Sequence, residues 1–285
     1  MAGVASALVL AGTAHAEDRF VVERSGDSSG QTVFFVPGLA SSGATWDGAV
    51  AALGDSADIH VFTLAGFAGV PATGHEGSFI EGAAEALAGY IAEGGYTHVS
   101  LIGHSLGGQV ALQVAARAPE AVSAVMAVDS VPFYARLFNP AATPEQAAAS
   151  GEMFAAQMSA VPHAQFLAMM EQGLPVQSLD TGFHDTMREW FAASDQQTIA
   201  RAFGEVSGSD FTPVLDEVRA PVLVLTAWAD GSPVDAATLE AMYAAQYAPL
   251  ANSRVEVIEG ARHFIMIDQP DAFNARLARF LSERR

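Results

Sequence analysis

Ser105, Asp230 and His263 lie far apart along this chain, yet they are the three residue types that together turn a hydroxyl into a nucleophile. A serine hydroxyl is a poor nucleophile at neutral pH. An imidazole beside it must take the proton, and a carboxylate must fix the tautomer of that imidazole and stabilise its charged form. Ser105 sits in Gly103-His104-Ser105-Leu106-Gly107-Gly108. A bare G-x-S-x-G is common by chance, so its surroundings decide what it means. Residues 97–102 ahead of it are a short apolar run rich in β-formers; residues 109–117 behind it favour helix and stop before Pro119. Strand, tight turn, helix is the setting that exposes a strained serine hydroxyl. Side chains at positions 103 and 107 would collide where strand and helix cross, which accounts for the two glycines. The N–H of Leu106 opens the helix, where free donors and the dipole favour a developing anion.

The other two residues also follow strands. Asp230 lies in the loop 229–233 after the run 221–228, and His263 lies in 259–264 after the run 254–258. Asp129, at the end of the run 124–129, is a rival for the carboxylate. Asp230 is preferred, because its place after a long helical stretch completes the order Ser, Asp, His. In an open parallel sheet the carboxyl ends of the strands form one edge, so residues from distant strands can meet there.

The elements that must position them follow from periodicity. Residues 19–24 alternate loosely, as an antiparallel edge strand does. The solid apolar run 32–36 suits a strand buried on both faces, and 59–64 is the next strand. Helical runs at 46–53, 79–91 and 271–281 join the one behind Ser105. Strands alternating with helices imply right-handed crossovers and a parallel sheet. From 134 to 218 no clear strand appears and helix formers dominate, at 144–158, 163–172, 181–194 and 196–203. This stretch reads as a helical insert over the sheet's carboxyl edge. Its Met153, Met158, Met169, Met170 and Met187, with Phe154, Phe166, Trp190 and Phe191, are ordinary packing residues that would also suit an adaptable lid.

Bulk properties narrow the function. The 285 residues carry 51% hydrophobic and 16% charged side chains, enough for a sizeable core. Thirteen basic residues, all arginine, face 32 acidic ones, for a net charge of −19. That argues against nucleic acid and against anionic membranes as partners. There is no cysteine, which excludes disulfides, thiolate metal sites and a thiol nucleophile. No His/Asp/Glu cluster has zinc-like spacing, so neither metal nor cofactor is implied. Residues 1–16 lack charged side chains, contain the apolar run 4–12, and end in Ala14-His15-Ala16, like a cleavage site. They read as a secretory signal without a basic start, which implies a periplasmic or secreted protein. No segment reaches the length of a membrane span.

On the motifs around Ser105, His263 and Asp230, the chain resembles the α/β-hydrolase-fold serine hydrolases from about residue 32 to 281. Gly103 to Gly108 resembles the family's serine turn, Gly260-Ala261-Arg262-His263 its G-x-x-H loop, and Asp230 the acid after the penultimate strand. The resemblance implies a mostly parallel sheet flanked by helices, with an α-helical cap inserted after the sixth strand. The core would span 17–133 and 219–285 and the cap 134–218. It implies that Leu39 and Leu106 donate the N–H groups of an oxyanion hole. Where the family often has His-Gly before the first of these, this chain has Pro37-Gly38. The expected activity is hydrolysis of a small-molecule carboxylic ester through an acyl-enzyme, with Phe67, Phe133 and the insert's apolar residues contacting the substrate. Lactone opening and C–C bond hydrolysis use the same machinery. A receptor that keeps only the pocket is the expectation of another class. An aspartate-nucleophile dehalogenase or epoxide hydrolase is disfavoured by the serine at 105. Other histidines, among them His60, His98 and His104, are expected to be structural, whereas His75, His163 and His184 are possible substrate contacts. Nothing in the sequence fixes the oligomeric state.

Overall fold

The computed structural model describes residues 19–74 and 77–283, so the signal-like segment 1–16 and His75 lie outside the described residues. One seven-stranded sheet organises the chain: β1 (Phe20–Gly26), β2 (Gln31–Val36), β3 (Ala57–Leu64), β4 (Val99–His104), β5 (Val122–Val128), β6 (Val222–Trp228) and β7 (Ser253–Glu259). Their order is β1-β3-β2-β4-β5-β6-β7. Only β1 runs antiparallel, paired with β3, and the other pairs are parallel. The central strand β4 is buried along its whole length, and β3 and β5 are buried at all but one residue each, as strands covered on both faces are.

Neighbouring residues of β2 show how both faces are closed, because adjacent side chains leave a strand on opposite sides. Phe34 packs on His60, Phe62, Tyr90 and Tyr96, whereas Phe35 packs on Trp46, which in turn meets Phe273. Helices α1 (Asp47–Leu53), α2 (Phe79–Gly94) and α3 (Leu106–Arg117) follow β2, β3 and β4. Serine at 78 caps α2 by accepting from the Glu81 N–H, and Gly95 ends that helix in the left-handed region at φ 64°.

Between β5 and β6 lie four helices: α4 (Pro144–Ala160), α5 (His163–Gln177), α6 (Thr181–Ala193) and α7 (Gln196–Gly208). Counted within the described residues this insert follows the fifth strand rather than the sixth, because a single antiparallel strand precedes the parallel set. Helices α4 and α7 touch backbone to backbone: a Cβ at Gly151 would stand 2.3 Å from the Gly204 carbonyl oxygen. Helices α8 (Ala236–Tyr247), α9 (Ile265–Asp268) and α10 (Pro270–Ser282) complete the chain.

The insert is tied down on one side by the loop after β3. The Asp195 N–H donates to the Gly66 carbonyl (2.8 Å), the Gly69 N–H to the Ala193 carbonyl (3.1 Å), and the Ala68 N–H to Ser194 Oγ (2.8 Å). Glu205 of α7 accepts from Ser78 Oγ and from the N–H groups of Phe79 and Ile80 (2.9, 2.6 and 2.9 Å). A carboxylate at a helix N-terminus satisfies donors that have no intrahelical partner and meets the positive end of the dipole. Glu205→Ala is expected to cost about 2 kcal/mol of stability by stranding those donors. The measurement is the urea midpoint at unchanged slope.

Candidate active site

The turn after β4 is built by close approach. A Cβ at Gly103 would stand 2.2 Å from the Gly107 carbonyl oxygen, and one at Gly107 would stand 2.3 Å from that of Val36. Neither contact is physically possible, so both positions require glycine. Ser105 is held at φ 53° and ψ −120° just before α3, a backbone conformation that costs a non-glycine residue of order 1–3 kcal/mol. The surroundings hold it there: the Ser105 N–H donates to the Val128 carbonyl (2.9 Å), and Ser130 Oγ–H donates to the Ser105 carbonyl (2.7 Å). Ser105 is half-buried.

His263 follows β7, and its Nδ1 lies 2.6 Å from Asp129 Oδ2. The carboxylate that meets the histidine is therefore Asp129 and not Asp230. In the parallel register His104 pairs with Val128, so the residues that follow them, Ser105 and Asp129, leave adjacent strands side by side. Asp129 sits at φ 44°, with its N–H on the Leu225 carbonyl (2.7 Å). That strained exit turns its carboxylate into the edge. Asp230 is exposed, in a turn closed by the Ser232 N–H on the Ala229 carbonyl (3.0 Å).

The second oxygen of Asp129 is fully supported. Tyr243 of α8 donates its hydroxyl to Oδ1 at 2.9 Å, and the Thr226 hydroxyl and Ala227 N–H reach the same atom at 3.3 Å. Burial alone would push the Asp129 carboxyl up, but the hydrogen bond and charge of His263, with the Tyr243 hydroxyl, outweigh it and hold the group below its ordinary value. Burial and the Asp129 charge push the Tyr243 hydroxyl well up, so it remains a donor. Tyr247 donates to the Ser130 carbonyl (2.9 Å), so one face of α8 underpins two consecutive residues of this edge. Neither tyrosine carries a motif. The signal that could have found them is the Asp235 cap followed by a helix that places positions 243 and 247 on one face.

The serine turn and the histidine loop meet through His104. Its ring packs on that of His263 (centroids 4.5 Å apart), and its Nε2 lies 3.0 Å from the His263 carbonyl oxygen. A carbonyl only accepts, so Nε2 carries the proton. Nδ1 is buried with no hydrogen-bond partner among the described residues and faces Gly38, where a Cβ would come within 2.9 Å of it. Burial, then the nearby His263, hold His104 well below its ordinary value, and it stays neutral. The unfolded chain takes up that proton near the ordinary value while the folded site refuses it. Stability is therefore expected to fall as the pH drops below about 6.5, by up to about 1.4 kcal/mol per pH unit. His104→Gln, which cannot titrate, should flatten that slope in urea titrations repeated from pH 7.5 to 5.

Two backbone N–H groups lie near Ser105: that of Leu106, the next residue, and that of Leu39, whose neighbour Gly38 would put a Cβ 3.2 Å from the Ser105 Cβ. Leu106 opens α3 and so has no intrahelical acceptor; the Leu39 N–H has no acceptor among the described residues. Leu39 lies in a turn closed by the Ser41 N–H on the Gly38 carbonyl (3.3 Å), with Ala40 at φ 54°. The two aromatic residues expected to touch substrate do not face this space. Phe67 is fully buried against Phe79, and Phe133 is fully buried with Ala142 and Ala147 beneath the Arg136 guanidinium. His60 is structural, buried between Asp58 and Tyr90, and His184 is bound to the Ser178 carbonyl. His163 is on the surface, facing Gln196 Oε1. A cleft of about 700 Å³ between α4, α7 and residues 72–74 includes none of Ser105, Asp129 and His263 in its lining.

The profile of the alpha/beta hydrolase family matches residues 33–276. A pimeloyl-[acyl-carrier protein] methyl ester esterase of Aeromonas hydrophila is 33% identical over 153 residues, which are 53% of this chain and 58% of that protein. The chain thus matches little more than half the length of that relative. The enol-lactonase of Burkholderia xenovorans superposes with a TM-score of 0.75 at 17% identity, over 92% of this chain and 96% of that one. A thermophilic esterase of Thermogutta terrifontis does so with a TM-score of 0.74 at 20% identity, over 93% of both. At such identities the two superpositions show the fold alone.

Proposed function

Because this chain belongs to the alpha/beta hydrolase family, we propose that it is a serine hydrolase that cleaves carboxylic esters through an acyl-enzyme, with Ser105, His263 and Asp129 as its triad. The observation that carries the reading is the 2.6 Å bond between His263 Nδ1 and Asp129 Oδ2, on the sheet edge where Ser105 is held in a strained turn. That bond keeps the proton on Nδ1, which leaves Nε2 with the lone pair a general base needs. Ser105 Oγ attacks the ester carbonyl as His263 takes its proton. The carbonyl oxygen, now anionic, sits on the N–H groups of Leu39 and Leu106, each worth about 10²–10³ in rate. His263 returns the proton to the leaving alcohol; water, deprotonated by the same imidazole, then attacks the acyl-enzyme, and His263 passes that proton to Ser105 Oγ as the acid leaves. The helices between β5 and β6 form a cap over this edge.

The partial match to a methyl ester esterase supports an ester ahead of other acyl substrates. The net charge of −19 favours a neutral or cationic substrate over a polyanionic one. The signal-like residues 1–16 support export. A fluorophosphonate probe tests the mechanism, with a panel of p-nitrophenyl esters of rising chain length beside a set of lactones. The expected result is stoichiometric labelling of Ser105 with matching loss of ester hydrolysis. Turnover of lactones alone would replace the ester with a lactone, and an unlabelled serine would leave a binding protein.

A further inference from the structure

The peptide of His263 is held on both sides and in the middle. The Arg262 N–H donates to Asp268 Oδ2 (2.8 Å), the Phe264 N–H donates to the Gln177 carbonyl (2.9 Å), and His104 holds the carbonyl between them. Two of these anchors lead to the same place. Gln177 ends α5, and the corner that follows it, residues 178–180, is bound by the other oxygen of Asp268. Oδ1 accepts from Ser178 Oγ–H (2.5 Å), the Leu179 N–H (2.9 Å) and the Asp180 N–H (3.3 Å). Ser178 is buried, and the Phe183 ring of α6 meets Phe264 edge-on at 5.1 Å between centroids. One carboxylate thus divides its two oxygens between the insert and the loop of the histidine.

We propose that Asp268 is a positioning residue that couples the α5–α6 corner of the insert to the imidazole of His263, so that the corner and the base move as one body. The inference rests on the triad reading for what the coupling does, but the coupling itself is a property of these contacts. Two features of the chemistry support it. The bonds are charge-assisted, which makes them stronger than bonds between neutral groups. Both oxygens are in use as acceptors, and no neutral isostere can replace them: an asparagine offers one acceptor oxygen and can serve the corner or the Arg262 N–H, not both. A displacement of the corner therefore passes into the backbone on either side of His263. An imidazole misplaced by a fraction of an ångström no longer lines up with the serine hydroxyl.

The test is Asp268→Asn, with Ser178→Ala as a milder variant that removes a single donor on the insert side and leaves the Arg262 N–H contact intact. The readouts are kcat and KM on a p-nitrophenyl ester, the downfield proton resonance of His263 Nδ1–H, and the thermal midpoint. Asp268→Asn is expected to lower kcat about ten- to a hundredfold with KM within about twofold, and to shift or broaden the resonance. Ser178→Ala should act in the same sense and less. If either variant folds with a lowered midpoint while kcat and the resonance stay as in the wild type, Asp268 only holds the fold and the proposal is overturned. The resonance reports on the His263–Asp129 bond whether or not the protein turns over ester. A wild type that resists the fluorophosphonate therefore defeats the triad reading while the coupling is still measured.

Discussion

Ser105→Ala is expected to lower kcat for ester hydrolysis by about 10⁶-fold and to leave the urea midpoint nearly unchanged. The size follows from the triad acting as a unit: once the hydroxyl is gone, His263 and Asp129 have nothing to activate, so this one change costs about as much as losing all three. What remains, about 10³–10⁴ over water, comes from the two N–H donors and from binding. The fold should tolerate the change. Alanine keeps the Cβ, so the strain at φ 53° is neither added to nor relieved, and the Ser105 N–H and carbonyl keep their bonds to Val128 and Ser130. Steady-state hydrolysis of a p-nitrophenyl ester, on protein freed of contaminating esterases, measures it. A variant that keeps more than about a hundredth of the activity refutes Ser105 as nucleophile.

The second large effect separates two carboxylates. Asp129→Asn should lower kcat about 10⁴-fold, whereas Asp230→Asn should stay within about twofold of the wild type. The amide can donate to Nδ1, which drives the ring into the tautomer whose Nε2 carries a proton and cannot accept one from the serine. Thr226, Ala227 and Tyr243 all donate to Oδ1, so the asparagine oxygen is best placed there and its NH₂ is left to face His263. Asp230 is exposed in its turn and touches none of these groups. If Asp230→Asn is the variant that loses activity, the Asp129 assignment is wrong.

The two carboxylates also show where legibility along the chain stopped. Ser105 and His263 could be found because each sits in a local pattern whose cause is local: glycines forced by a strand crossing a helix, and a glycine-containing loop after a strand. The acid has no such pattern. Both aspartates follow parallel strands, and the choice depended on which strand end lies beside β4, a matter of strand order that spacing does not encode. The helical insert was legible as a break in the strand rhythm, and helices α4, α6 and α7 begin where their caps Thr143, Asp180 and Asp195 stand. Helix α8 was missed. Its alanines lie on every side and dilute the short stripe of Leu239, Tyr243 and Tyr247, although the helix supplies the tyrosine that orders Asp129. Phe67 and Phe133 stand just after β3 and β5, yet both turn inward, as large apolar side chains do when the core offers room.

With Asp129, just after β5, as the proposed acid, the turn after β6 is relieved of that role. Residues 229–233 join β6 to the approach to α8, and among the described residues none of their side chains is hydrogen-bonded to His263. Within this turn the Ser232 N–H donates to the Ala229 carbonyl and the Ala229 N–H to Ser232 Oγ, and the Trp228 indole N–H reaches across its ends to the Val234 carbonyl at 2.9 Å. With Asp129 as the proposed acid, that connection is expected to accept added residues with little loss of turnover, which steady-state hydrolysis by an insertion variant would measure. It is the natural place on this rim to graft extra residues when a different molecule is to be admitted.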